Sequence, residues 1–414
     1  MISKSLFKSK HYPWILVGLL SVVAMLNYMD RQMIATMRPS MQMDIAELKQ
    51  AANFGRLMAV FLWVYGLMSS LSGMIADRFN RKWLIVGSLF VWSAVTLAMG
   101  FARNYETLYS LRALMGFSEA LYIPAGLSLI ADYHSDKTRS LAIGLHMTGI
   151  YLGQAFGGFG SVVSAAMSWQ KTFIINGGIG ILYSIILLFF VQEKMSSDNE
   201  EISIKKTSNS FKEDIKGLGK LFSSFSFWII ILYFAIPSLP GWAIKNWAPT
   251  LFSETLGIDM TKAGPLATIS ISLSSLLGVV VGGIISDRWA QKNIRGRVFT
   301  GAIGLSLTIP SLILLGFGNS LTFYMSAAVL FGFGFGMFDT NNMPILCQFV
   351  DPRQRATAYG LLNTAGICMG AIITDFLGRS TDAGNLGRDF AILALVVFLV
   401  LILQLGFLRP GKET

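Results

Sequence analysis

The sequence predicts an all-α membrane protein of about twelve transmembrane helices arranged as two six-helix repeats. Three observations point there. The 414-residue chain is 53% hydrophobic and only 14% charged, with a mean hydropathy of +0.57, which excludes an ordinary soluble globule. Apolar runs of roughly 20 residues, long enough to cross ~30 Å of hydrocarbon, recur about twelve times. Short motifs also return after a fixed interval of 210 residues: "GMIADRFNRK" at 73–82 comes back as "GIISDRWAQK" at 283–292, and "RPSM" at 38–41 as "APTL" at 248–251.

In chain order the expected spans are 13–36, 54–76, 83–102, 106–132, 140–165 and 170–191, then 226–252, 262–287, 297–317, 321–349, 356–377 and 389–408. The polar break "EKMSSDNEEISIKKTSNSFKEDIKGLGK" (193–220) interrupts them after the sixth. It divides the chain into an N-terminal bundle (1–192), a central loop (193–225) and a C-terminal bundle (226–414). The basic end of that loop is expected to lie along the membrane surface. Of the 33 lysines and arginines, 22 fall on the side that carries both termini and eight on the opposite side. Both termini are therefore expected in the cytoplasm. The first apolar run is long and followed by many others, so it reads as a retained span rather than a cleaved leader.

The formal charge of +10 reflects these loop cations, so no nucleic-acid partner is expected. Cys347, Cys368 and the three histidines show no metal-ligand spacing, and no metal site is expected. "FGFGFG" (331–336) lies inside a span and lacks the strand–loop–helix setting and Gly-Lys-Ser/Thr ending of a nucleotide loop, so it reads as close helix packing. Nothing suggests an enzyme or a bound cofactor. The 41 glycines suit closely packed membrane helices.

Polar residues inside the spans are the candidates for function, because an ionisable group at membrane depth is costly. Asp30 and Arg31 are adjacent in the first span, and helical neighbours point roughly 100° apart, so each must find its partner on another element. Arg31 offers a planar fork of donors suited to a carboxylate or phosphate. Glu119 lies about halfway along the fourth span, where its acid could take up and release a proton. Arg112, two turns earlier on the same face, is placed to modulate it. The acid at Glu119 precedes Pro124 by five residues, and Asp339 precedes Pro344 likewise, so the repeat pairs them. Asp339, Asn341 and Asn342 form a dense polar cluster in the tenth span, with Asp339 readable as a titrating site, as a partner for Lys245 or Arg31, or as part of a plain hydrogen-bond cluster. Gln154, beside the small-residue stripe Gly149, Gly153 and Gly157, and Asn363 are candidate contacts for a hydroxylated substrate. The serines Ser272, Ser274 and Ser275 are weaker ones, since serine in a membrane helix more often serves packing.

"GMIADRFNRK" resembles the major facilitator superfamily motif G-x-x-x-D-R-x-G-R-[KR] between the second and third helices, with Asn80 where glycine is usual. The resemblance covers essentially the whole chain. It implies alternating access, with Asp77, Arg78 and Arg81, and their counterparts Asp287 and Arg288, in a charge-pair gate. A narrower resemblance is to the anion:cation symporters, carriers of hexuronates, aldonates and sialic acid. It rests on "NYMDRQMI" (27–34), "GFSEALYIPAG" (116–126), "SWQKTFIINGGIGIL" (168–182), with Gln170 in place of arginine, and "KNWAPTLF" (245–252). Lys245 is not part of that pattern, and Spinster-like lipid transporters share the N-Y-M-D-R start.

The resemblance implies a secondary transporter of the inner membrane that takes up a small organic anion, such as a sugar acid, together with protons. No cofactor beyond the coupling proton is implied, and a monomer in the lipid bilayer is expected. In that scheme Arg31 holds the carboxylate, with Tyr28, Tyr65, Gln154, Ser274, Asn341, Asn342 and Asn363 around the substrate. Glu119, Asp30 and Asp339 carry protons. A multidrug or lipid exporter and a sugar-phosphate exchanger are the alternatives within transport, and a non-transporting sensor the alternative outside it.

Overall fold

The structure is a computed structural model that describes residues 9–193, 223, 225–350 and 355–409. The central-loop expectation therefore lies almost wholly outside the described residues. The first half comprises α1 (Tyr12–Asp44), α2 (Ala51–Arg78), α3 (Arg81–Met99), α4 (Tyr105–Glu119), α5 (Tyr122–Tyr133), α6 (Asp136–Gly157), α7 (Gly160–Ala166) and α8 (Trp169–Phe190). The second comprises α9 (Phe225–Leu256), α10 (Met260–Ala290), α11 (Gly296–Phe317), α12 (Leu321–Asp339), α13 (Asn342–Leu346), α14 (Arg355–Asp382) and α15 (Leu386–Phe407). No strand occurs among the described residues.

Three spans are built from two helices each: α4–α5, α6–α7 and α12–α13. The breaks in the fourth and tenth spans have the same cause. Pro124 and Pro344 each lack an N–H and crowd the carbonyl four residues back, at Ala120 and Thr340. Those are the residues at which α4 and α12 stop, so Glu119 and Asp339 each end a helix. The sequence relation of acid and proline is thus a matched pair of helix breaks, one per half.

Among the described residues, eleven spans are long and apolar enough to cross a membrane on their own composition. The exception is the fifth, α6–α7, where His146, Thr148, Gln154 and several glycines dilute the apolar surface. It is held instead by close packing on α1, where Gly149 and Gly153 bring α6 against the Ser21 and Met25 backbone. Each half also carries structural pins. Trp169 Nε1 (2.7 Å) and Gln170 Nε2 (2.6 Å) both donate to Asp44 Oδ2 at the end of α1. In the second half, Trp247 Nε1 donates to the Thr374 carbonyl (3.1 Å). Asp259 caps α10, its Oδ1 accepting from the N–H (2.8 Å) and hydroxyl (2.6 Å) of Thr261.

The halves meet chiefly along α2 with α14, α6 with α10, and α1 with α9, with α7 and α1 also touching α10. The first two correspond to each other under the repeat. Their contacts involve the ends remote from the termini: Gly55 lies against Gly378 and Thr374, Gly158 against Gly264 and Thr268, and Phe54 packs edge-on to Trp247 at 6.2 Å. Among the described residues, the cross-half hydrogen bond nearest the termini runs from Asn363 Nδ2 to Ser69 Oγ (3.3 Å). Nearer the termini no described ion pair or hydrogen bond joins the halves, and Asp339 and Tyr359 are exposed there. Among the described residues, the two halves are closed together on the side away from their termini and unjoined on the other.

Candidate functional site

Asp30 and Arg31 do turn apart. Asp30 is buried in the first half, where Thr96 Oγ1 of α3 donates to its Oδ2 at 3.4 Å. Arg31 turns to α4, and its Nε donates to Glu119 Oε2 at 2.5 Å. Sequence reasoning treats Arg31 and Glu119 as separate binding and proton sites; the fold joins them in one ion pair. The break after Glu119 ends α4 at this point, and Glu119 is fully buried.

An aromatic wall surrounds the guanidinium. The rings of Tyr65 (4.2 Å), Tyr28 (4.7 Å) and Phe61 (5.0 Å) all lie under its carbon. Phe61 also carries the buried Arg112 guanidinium at 4.6 Å. Two acids and two arginines thus share one buried cluster, and the formal charges of Asp30, Glu119, Arg31 and Arg112 cancel. The cluster is not fully bonded: Arg31 Nη2 and Glu119 Oε1 have no hydrogen-bond partner among the described residues, although Asn27 lies beside Glu119. A buried donor and a buried acceptor left open at one ion pair mark a place where a ligand or a proton can be taken up.

The second half supplies the facing groups. Asp339, at the end of α12, accepts from Asn342 Nδ2 at 3.2 Å and lies within electrostatic reach of Lys245, Tyr28, Tyr151, Tyr233 and Tyr359. Those residues come from both halves, so Asp339 faces the space between them. Lys245 is at that interface: Gln32 Nε2 of α1 donates to its carbonyl at 2.7 Å, and its Nζ lies 5.1 Å from the Trp242 ring. Gln154 joins them, lining a water-sized cavity of about 10 Å³ with Gln32, Lys245 and Ser272.

Other expected residues are elsewhere. Ser274 is packed against Gly332 of α12, and its hydroxyl donates to the Ser270 carbonyl (2.6 Å) of its own helix, so it does not reach the central space. Asn341 is likewise turned into its own helix, donating to the Met337 carbonyl at 2.8 Å. Asn363 joins the two halves through Ser69. For the gate, the side chains of Asp77 and Arg78 lie outside those described. Arg81 pairs with Asp132, and Asp287 with Arg297 at 3.1 Å, each within its own half; Arg288 is in the last turn of α10. Sequence reasoning passed over Phe61, Tyr151 and Tyr359, because an aromatic in a membrane span looks the same whether it packs, faces lipid or lines a cavity.

The family model described as Major Facilitator Superfamily matches residues 20–374. The hexuronate transporter of Bacillus subtilis (strain 168) is 24% identical over 409 residues, covering 94% of this chain and 93% of its own. Protein spinster homolog 1 of Xenopus laevis is 28% identical over 369 residues, covering 84% of this chain and 68% of its own. Among solved structures, a bacterial homologue of the human lysosomal transporter Spinster, in an inward-facing and unoccupied conformation, superposes with a TM-score of 0.78. It is 21% identical, with 98% of this chain and 100% of that one covered.

Proposed function

We propose that this chain, which belongs to the Major Facilitator Superfamily, takes up a hydroxylated organic anion of the sugar-acid class together with protons, by alternating access. The observation that carries the reading is the Arg31–Glu119 pair, with an open donor on one partner and an open acceptor on the other, beside the space between the halves. A substrate carboxylate and the Glu119 carboxylate compete for the same guanidinium. A proton on Glu119 removes its charge and releases the Arg31 fork, which then holds the substrate carboxylate bidentately. Uptake of the anion is thereby tied to uptake of the proton. Asp30, behind Arg31 and within electrostatic reach of Arg112 and Glu119, is the second proton carrier. Tyr28 and Tyr65 flank the guanidinium with their ring faces and present hydroxyls to a polyol.

The distribution of lysine and arginine supports an orientation with both termini in the cytoplasm and the protein in the inner membrane. In that orientation the structure is the inward-open state. The full-length similarity to a hexuronate transporter supports the substrate class. The charged, hydrogen-bonding centre supports a hydrophilic anion over a lipid.

The test is Glu119→Gln in proteoliposomes. This variant mimics the protonated acid, so it should abolish uptake of labelled hexuronate driven by a proton gradient yet keep exchange of hexuronate across the membrane. Loss of exchange as well would remove Glu119 from the coupling role.

A further inference from the structure

The charge pair of the first half has a counterpart in the second, built on the same two helices. In the first half the cation, Arg31, is on the opening helix; the acid, Glu119, is the last residue before the break in the fourth span. In the second half Lys245 is on the opening helix α9, and Asp339 is the last residue before the break in the tenth. The repeat interval of 210 residues carries Arg31 to position 241, so Lys245 sits one helical turn further along. The two helices are tied together beside these cations: Gln32, the residue after Arg31, donates to the Lys245 backbone carbonyl at 2.7 Å.

The pairs differ in one respect. Arg31 and Glu119 are closed at 2.5 Å, whereas Lys245 has no carboxylate within 4.0 Å among the described residues. Its ammonium rests near the Trp242 ring instead. Asp339 is exposed in the central space, and Asn342 is its one hydrogen-bond partner among the described residues. A permanent structural pair would close to hydrogen-bond distance, as the first one does. A lysine left unclosed at membrane depth is costly, and is retained where an anion arrives to neutralise it. We propose that Lys245 and Asp339 form a second charged subsite, which takes the distal carboxylate of a dicarboxylate whose proximal carboxylate is held by Arg31.

The inference rests on the transport reading above and extends it to the substrate class. The charges balance with protons from the aqueous phase. A proton on Glu119 frees Arg31 for one carboxylate, and a proton on Asp339 leaves Lys245 as the uncompensated cation for the other. A dicarboxylate therefore enters with one proton more than a monocarboxylate.

The experiment measures the affinity ratio of two six-carbon probes, D-glucarate with two carboxylates and D-gluconate with one, by calorimetry on the purified full chain; glucose 6-phosphate is a third probe. The intact protein should favour glucarate by about tenfold or more, the scale of one charge-assisted contact. Lys245→Gln should bring the ratio to about one, and Lys245→Arg should restore the preference, which separates loss of charge from loss of folding. An unchanged ratio in Lys245→Gln overturns the proposal, as does a gluconate preference in the intact protein. Tighter binding of glucose 6-phosphate than of glucarate also overturns it, by assigning the second charge to a phosphate. Binding of gluconate without a glucarate preference leaves the transport reading standing, whereas binding of neither sugar acid overturns both.

Discussion

Asp382 holds Ala51 across the junction of the two halves: its Oδ1 accepts the Ala51 N–H at 2.7 Å, and its Oδ2 the neighbouring Ala52 N–H at 2.8 Å. These are the first two residues of α2, whose own N-cap residue, Gln50, makes no side-chain cap. The last residue of α14 therefore caps a helix in the other half. A carboxylate suits the place, because the open N–H groups and the positive end of the helix dipole both favour negative charge. Arg56 and Asp375, 3.7 Å apart, add a half-exposed ion pair along the same seam, where water around the arginine screens it and keeps its contribution small.

The cap exists only while the side away from the termini is shut, so it stabilises the open-toward-the-termini state alone. Asp382→Asn keeps the size and one acceptor but loses the charge and one hydrogen bond. It should destabilise the shut state by about 1–2 kcal/mol, shifting the equilibrium roughly tenfold toward opening on that side. Spin labels on the exposed residues Lys49 and Ala383, in a background without Cys347 and Cys368, should report a longer separation. An unchanged distance distribution would remove the latch role.

Glycines at two kinds of interface should respond differently to the same change. A Cβ on Gly158 would meet Thr268 and the Gly264 carbonyl (2.9 Å), all in the other half. A Cβ on Gly153 would meet the Met25 backbone within its own half, 3.0 Å from the carbonyl carbon. Gly158→Val should leave the melting temperature within a few degrees while transport falls at least tenfold, because the halves no longer shut. Gly153→Val should lower thermal stability instead, by about 1–3 kcal/mol of overpacking. Fluorescence-detected thermal unfolding and uptake, measured on both, would contradict the assignment if the two variants behaved alike.

The contrast shows which parts of this molecule can be read from its residues. The twelve spans, the repeat and the acid–proline pairs are local patterns, and the helix breaks after Glu119 and Asp339 follow from proline chemistry alone. The turning apart of Asp30 and Arg31 follows from helical geometry. Their partners do not: Glu119 is 88 residues from Arg31, and Asp382 is 331 from Ala51, so only the packed fold decides who meets whom. The orientation of Ser274 and the place of Tyr151 are hidden in the sequence for a related reason. A serine hydroxyl is satisfied equally by its own helix or by a ligand, and a tyrosine in a span serves packing or a cavity. The facing of each helix settles these questions, and in an apolar environment the hydrophobic pattern carries little record of it. The fifth span illustrates the converse, being the most polar of the twelve yet firmly held by glycine packing on α1.

The geometry around Arg31 makes the distinction between arginine and lysine a sharp test of the site. The guanidinium donates through Nε to Glu119, lies over three aromatic rings, and keeps Nη2 open. Lysine keeps the positive charge, and with it the neutralisation of Glu119, so Arg31→Lys should fold. A single ammonium cannot hold Glu119 at one edge while presenting a second, coplanar donor to a substrate, and it lacks the flat face that rests on the rings. The substitution should therefore weaken binding of a carboxylate substrate by about 1.5–3 kcal/mol, or roughly ten- to hundredfold, with thermal stability nearly unchanged. Calorimetric titration with glucuronate, alongside a melting curve, measures both. Wild-type affinity in Arg31→Lys would show that charge alone suffices and that the fork does not touch the substrate.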